Sequence, residues 1–213
     1  MLGIQAFRYA GEPFFFNQSQ NENAPSLYSR VMHYFVIASA AVMVAVSFNA
    51  DLISHLFLRS PEFRLALSIL PYLLLGKLLF GVYINLSIWY KLSDQTMYGV
   101  YFSLVGTAIT LVLNYLLLPI MGYFGSALAM IACYGTMCLL AYYFGQKHYP
   151  IPYKILPIFT YLGVSFLLAL GSFFLQFESF FLDTLLNIIA TTAVIAVFFI
   201  VERNKLLQYN RGN

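Results

Sequence analysis

The chain has 213 residues, of which 61% are hydrophobic and only 9% charged, with a formal net charge of +3 and a mean hydropathy of +0.78. Soluble domains carry roughly a quarter charged residues, so a water-facing surface cannot be covered with so few and the chain requires lipid as its solvent. Its eleven Lys and Arg are spread along the sequence rather than gathered in a basic patch, which argues against a nucleic-acid partner.

In chain order, the leading segment Leu2–Phe16 is too short and too polar to cross a bilayer by itself. It reads as the end of a helix whose beginning is absent, so residues 1–16 form one unit. The amino terminus, MLGIQAFRYAGEP, lacks the basic-then-apolar order of a signal peptide. A polar stretch containing NQSQNENAPS follows, and residues 17–30 read as an exposed loop.

A spanning helix needs roughly 20 mostly apolar residues, and six stretches between residues 31 and 206 qualify. They run from about Val31 to Phe57, Leu65 to Tyr90, Met97 to Leu118, Tyr123 to Phe144, Ile155 to Phe177 and Phe180 to Val201, and residues 207–213 form a tail. The fold class that follows is all-α: a polytopic membrane helix bundle of about six transmembrane helices plus a partial amino-terminal helix.

Loop charge predicts the orientation. With the amino terminus on one side, Arg8, Arg30, Lys91, Lys147, Lys154, Arg203, Lys205 and Arg211 fall on that side, and Arg59 and Arg64 on the other. The rule that cytoplasmic loops are enriched in Lys and Arg then places both termini in the cytoplasm. Trp89, Tyr90, Tyr142, Tyr143, Tyr149 and Tyr153 gather near predicted span ends, as interfacial anchors do.

No enzyme motif is present: there is no glycine-rich phosphate loop, no pair of His on one helix face and no Ser–His–Asp set, so no catalytic residue, metal or cofactor is expected. His33, His55 and His148 are isolated in the sequence and read as structural or interfacial. Cys133 and Cys138, five residues apart in one apolar run, read as packing residues rather than a disulfide or metal site.

Lys77 is the most informative single residue. It lies near the middle of the second span, in LLLGKLLFGV, where an ammonium facing lipid costs several kcal/mol, so it is expected to face a polar cavity or a partner. Asn85, about two turns on, is expected to share its polar face as a second substrate-binding candidate. Pro71, Gly76 and Gly81 permit a bend in the same helix. Asn114, deep in the third span, suits an interhelical hydrogen bond better than a substrate, and is kept as a cavity or gating residue.

Gln5, Arg8 and Glu12 lie on one face of the leading helix, with Arg8 and Glu12 spaced to pair directly. The stripe suits either an ordinary surface pair or the wall of a water-filled vestibule. Ser103 with Thr107, Gly106 with Thr110, and Ala129 with Cys133 are small-residue pairs that let helices approach closely.

Four stretches in order, IQAFRYAGEPFFF (Ile4–Phe16), GVYINLSIWYKLSDQT (Gly81–Thr96), NYLLLPIMGYFGSALA (Asn114–Ala129) and GQKHYPIPY (Gly145–Tyr153), resemble the carboxy-terminal half of polysaccharide flippases. These belong to the superfamily that also contains multidrug exporters and the lipid II flippase. The resemblance implies a second lobe of a two-lobed, roughly fourteen-helix transporter, with Leu2–Phe16 as the end of the eighth helix. Its expected cargo is an undecaprenyl-diphosphate-linked oligosaccharide, moved across the bacterial inner membrane for surface polysaccharide or lipopolysaccharide synthesis. Cationic residues would hold the diphosphate, and Arg8 and Lys77 are the matches here. The expected partners are that lipid-linked substrate, membrane lipids, and either a missing amino-terminal half or a second copy of the chain. The alternatives are a drug or small-molecule exporter of the same superfamily, a non-catalytic membrane subunit, or a membrane-embedded transferase. The last needs acidic or histidine clusters where only scattered residues occur.

Overall fold

A computed structural model describes residues 2–57, 67–174 and 180–211. Among these residues the regular structure is helical, without a strand: α1 (Leu2–Gln18), α2 (Ala24–Phe48), α3 (Ala50–Phe57), α4 (Leu70–Leu86), α5 (Ile88–Leu92), α6 (Met97–Met121), α7 (Tyr123–His148), α8 (Ile155–Gly171) and α9 (Phe180–Arg211). Short 3₁₀ turns cover residues 67–69 and Ser172–Phe174. Six segments are long and apolar enough to cross a membrane, and they coincide with the six expected from hydropathy: Ala24–Phe48, Leu67–Leu92, Met97–Met121, Tyr123–His148, Ile155–Phe174 and Phe180–Asn204. The chain is an all-α, multi-pass membrane protein.

Where the structure departs from the expected boundaries, local chemistry explains it. The loop expected over residues 17–30 shrinks to a turn at 19–23, and α2 begins at Ala24. Pro25 sits in the first turn of α2, where a backbone N–H has no helical partner to lose, and Ser26 closes that turn by donating from Oγ to Asn23 O at 2.8 Å. The first span is interrupted at Asn49, whose Nδ2 donates to Ala45 O at 2.9 Å in competition with the main chain. Ser87 interrupts the second span in the same way, with Oγ donating to Ile84 O at 2.7 Å. The expected tail from 207 continues the helix to Arg211. Arg59 and Arg64, on which the opposite-side loop charge rests, lie outside the described residues.

Chain contacts divide the molecule into two units, Met1–Val36 with Tyr72–Ile158, and Ile37–Pro71 with Phe159–Asn213; the divisions fall inside α2, α4 and α8. In the first unit, α6 and α7 form a tight antiparallel hairpin joined by one residue, Gly122, at φ 56° and ψ −136°. Its seam is made by small side chains. A Cβ on Gly106 would meet Met137 Sδ at 2.7 Å and Cys133 Sγ at 3.0 Å, and Ala129 is fully buried. Asn114 crosses the seam: it accepts from Ser126 Oγ at 2.7 Å and donates to Thr110 O at 2.8 Å. Cys138 Sγ donates to Leu79 O on α4 at 3.2 Å, and both cysteines are free and buried.

The base of the same unit holds α1 in place. Phe15, Ala24, Tyr28, Ile88 and Ile151 form a buried cluster, and Tyr28 OH donates to Phe15 O at 2.9 Å. Phe7 and Phe35 pack with ring centres 4.6 Å apart. The leading segment is thus a docked helix of the unit.

In the second unit, small residues again set the packing. Ala40, Val44, Ser165 and Ala169 are all fully buried. Ser165 Oγ turns back to Tyr161 O at 2.7 Å, and Asn49 Nδ2 reaches Thr191 Oγ1 on α9 at 3.1 Å. Tyr161 OH donates to Glu202 Oε1 at 2.6 Å. Apolar side chains cover the outer faces of α6 and α9, as a lipid surround allows; α6 buries only Phe102 and Gly106.

Candidate functional site

The first unit contains a notch of about 530 Å³ between α1, the α4–α5 stretch and α6. Its wall from α4 and α5 is Phe80, Tyr83, Ile84, Ser87, Tyr90 and Lys91. The facing wall from α6 is Gly99, Val100, Ser103, Leu104 and Thr107, with Thr96 just before it. Arg8 is the contribution of α1.

The spacing on each wall follows from helical periodicity. Phe80, Ile84, Ser87 and Lys91 recur at intervals of three or four residues, and so do Thr96, Gly99, Ser103 and Thr107. Because α4–α5 runs toward the residue 93–96 connection and α6 runs away from it, Lys91 and Thr96 lie together at one end. Phe80 and Thr107, each eleven residues further along its helix, lie at the other end, roughly 16 Å away at 1.5 Å per residue. The notch is therefore charged at one end and lined by aromatic, aliphatic and hydroxyl groups along its length.

The charged end is built by three side chains. Glu12 Oε1 accepts from Arg8 Nε at 3.1 Å, four residues away on α1, and from Lys91 Nζ at 2.5 Å on α5. Burial pushes the Glu12 carboxyl up, but hydrogen bonds and charge from Lys91 and then Arg8 outweigh it and hold the carboxyl below its ordinary value. At neutral pH the trio carries two positive charges against one negative.

The helix that carries Lys91, α5, is anchored through its buried aromatic residues. Trp89 of α5 is buried against α7, its Nε1 donating to Ala141 O at 2.9 Å, at a point where Gly145 leaves room for the indole. His148 stacks on the same ring, with centres 5.5 Å apart and planes within 13°. Beyond Lys91 the helix is closed by Asp94 at φ 56°, a left-handed conformation that Asp tolerates better than most residues, and Gln95 N–H returns to Tyr90 O at 2.7 Å.

Of the residues singled out from sequence, Arg8 lines the notch and Glu12 pairs with it. Gln5 is exposed on α1 and does not line the notch. Lys77 lies on the stripe of Phe80, Ile84 and Lys91, one turn beyond the lining residues; it is half-buried and makes no hydrogen bond or ion pair among the described residues. Asn85 does not line the notch. It is buried, 2% exposed, with Nδ2 donating to Gly81 O at 3.0 Å and Oδ1 without a partner among the described residues. Asn114 lies in the α6–α7 seam. Lys91, Ser87 and Thr96 are added by the fold, and Ser103 and Thr107, expected at a helix contact, instead face the notch.

The site is a notch, charged at one end and apolar with hydroxyl groups along its length, in a multi-pass helical protein. Residues 14–116, just under half of the chain, match the MatE family, part of the multidrug/oligosaccharidyl-lipid/polysaccharide exporter superfamily. The matched segment takes in every notch-lining residue except Arg8. MatE proteins are transporters, not enzymes. No curated protein and no solved structure matches the chain.

Proposed function

We propose that the chain is the carboxy-terminal part of a transporter that flips a lipid-linked oligosaccharide, attached through diphosphate, across the bacterial inner membrane. The observation that carries this reading is the polarity of the notch: Arg8 and Lys91 at one end, and about 16 Å of apolar and hydroxyl wall leading from them. An amphiphile with an anionic head and a hydrocarbon tail has the same division. A diphosphate beside two cations gains charge-assisted hydrogen bonds that neutral head groups cannot make. On this reading, both termini face the cytoplasm, and a second lobe, from the rest of a longer polypeptide or from another chain, completes the path.

Export of a drug or other small molecule is the second reading, and the MatE match fits it equally. Ring faces at Phe80, Tyr83 and Tyr90 favour an aromatic cation over a phosphate if the cationic end is not used.

The chain's single tryptophan separates these readings, since Trp89 lies two residues from Lys91. In nanodiscs, undecaprenyl diphosphate is expected to change Trp89 fluorescence saturably and undecaprenol is not, with the response lost in the double variant Arg8→Ala, Lys91→Ala. Equal responses to the two lipids, together with a saturable response to tetraphenylphosphonium, would overturn the flippase reading in favour of the exporter.

A further inference from the structure

We propose that Glu12 is a resident counter-ion, a carboxylate that pairs with the two cations at the end of the notch until an incoming phosphate takes over their hydrogen bonds. The inference rests on the reading of that end as an anion site and adds a regulator to it. A single oxygen, Oε1, takes both the Arg8 Nε hydrogen bond at 3.1 Å and the Lys91 Nζ contact at 2.5 Å, so the carboxylate bridges two cations from separate helices. Bridging two cations through oxygen is also how a phosphate would bind them. Arg8 and Lys91 line the notch whereas Glu12 does not, so the carboxylate neutralises the cations without filling the space beside them.

The counter-ion answers a physical difficulty. Two cations side by side repel each other, so an empty notch with Arg8 and Lys91 alone is destabilised. Glu12 relieves that in the empty state. It also weakens the site, because a phosphate must compete for donors already engaged and sits near a negative charge. Partial exposure keeps the exchange feasible: the side chains of Arg8, Glu12 and Lys91 are 53%, 32% and 24% exposed, so none of the three is sealed in. The outcome is an anion site tuned to let its cargo go, which a carrier requires more than tight binding.

The alternative role for Glu12 is to orient Arg8 and Lys91 for the phosphate, and it predicts the opposite sign. The test is titration of the full 213-residue chain in nanodiscs with inorganic pyrophosphate, read by Trp89 fluorescence and by calorimetry, in wild type, Glu12→Gln, Glu12→Ala and Lys91→Ala. As a counter-ion, Glu12 sets the affinity from below: both Glu12 variants should bind pyrophosphate roughly tenfold more tightly than wild type, the scale of removing one partly screened like charge. Lys91→Ala should bind at least tenfold more weakly. Affinity that is unchanged or lower in both Glu12 variants while Lys91→Ala still loses binding overturns the counter-ion and leaves the anion site standing. Pyrophosphate binding by none of the four proteins overturns both. Glu12→Ala guards against a new hydrogen bond from the glutamine amide, and circular dichroism with size-exclusion profiles identifies any variant that fails to fold.

Discussion

Three cationic side chains, Arg8, Lys77 and Lys91, lie on or next to one helical stripe, and what surrounds each distinguishes them. Arg8 and Lys91 share a carboxylate, whereas Lys77 has no ion pair among the described residues and lies one turn past the notch. Because Glu12 is held below its ordinary value of 4.5, its ion pairs stabilise the folded chain above that value and are lost as pH falls through the lowered one. Carbon-13 NMR of Glu12 is expected to show titration below 4.5, and Lys91→Ala should move it upward; an unmoved titration would contradict the pairing. Replacing Lys77 by Leu removes an ammonium from mid-span, so it should preserve or raise thermal stability while weakening undecaprenyl diphosphate binding by less than Lys91→Ala does. At this scale the sequence is readable where partners are close: the Arg8–Glu12 pair follows from an interval of four. Lys91 is not readable as a site residue, because its partner lies 79 positions away and only the docking of α1 brings the two together.

Among the elements, hydropathy marks the six spans, but it is blind to interruptions within them. Asn49 and Ser87 sit in apolar runs that continue on both sides, and each break comes from a side chain competing for a carbonyl of the preceding turn. Ser103 and Thr107 were legible as a pair one turn apart on α6, yet small hydroxyl residues serve helix contacts and cavity walls alike. Only the position of α6 against α4 decides between those uses. Two substitutions probe the elements. Gly122→Ala forces a Cβ onto a residue at φ 56° and ψ −136° and should cost about 1–3 kcal/mol, seen as a lower melting temperature in detergent. Gly106→Leu should separate α6 from α7, because the added side chain has to pass Met137 and Cys133. It should also make Cys133, in the seam, accessible to maleimide in the folded protein, while Cys138, held against α4, stays protected.

Across the whole molecule, composition alone excludes water as the solvent, and the apolar coverage of α6 and α9 is its structural counterpart. Orientation is a separate matter that side labelling resolves. If both termini are cytoplasmic, an impermeant maleimide should reach a single cysteine at Tyr123 from outside the inner membrane, and cysteines at Asn21 and Lys154 only after the membrane is opened. The reverse pattern would invert the topology. The one-residue junction at Gly122 bears on how such a chain is made. With 25 and 26 residues, α6 and α7 are each roughly 38 Å long, and a junction so short holds no stretch of chain that can wait in water while the second helix is synthesised. The two are therefore expected to insert as a hairpin, and a polar tag placed at residue 122 is expected to lower the amount of protein in the membrane, at a site remote from the notch.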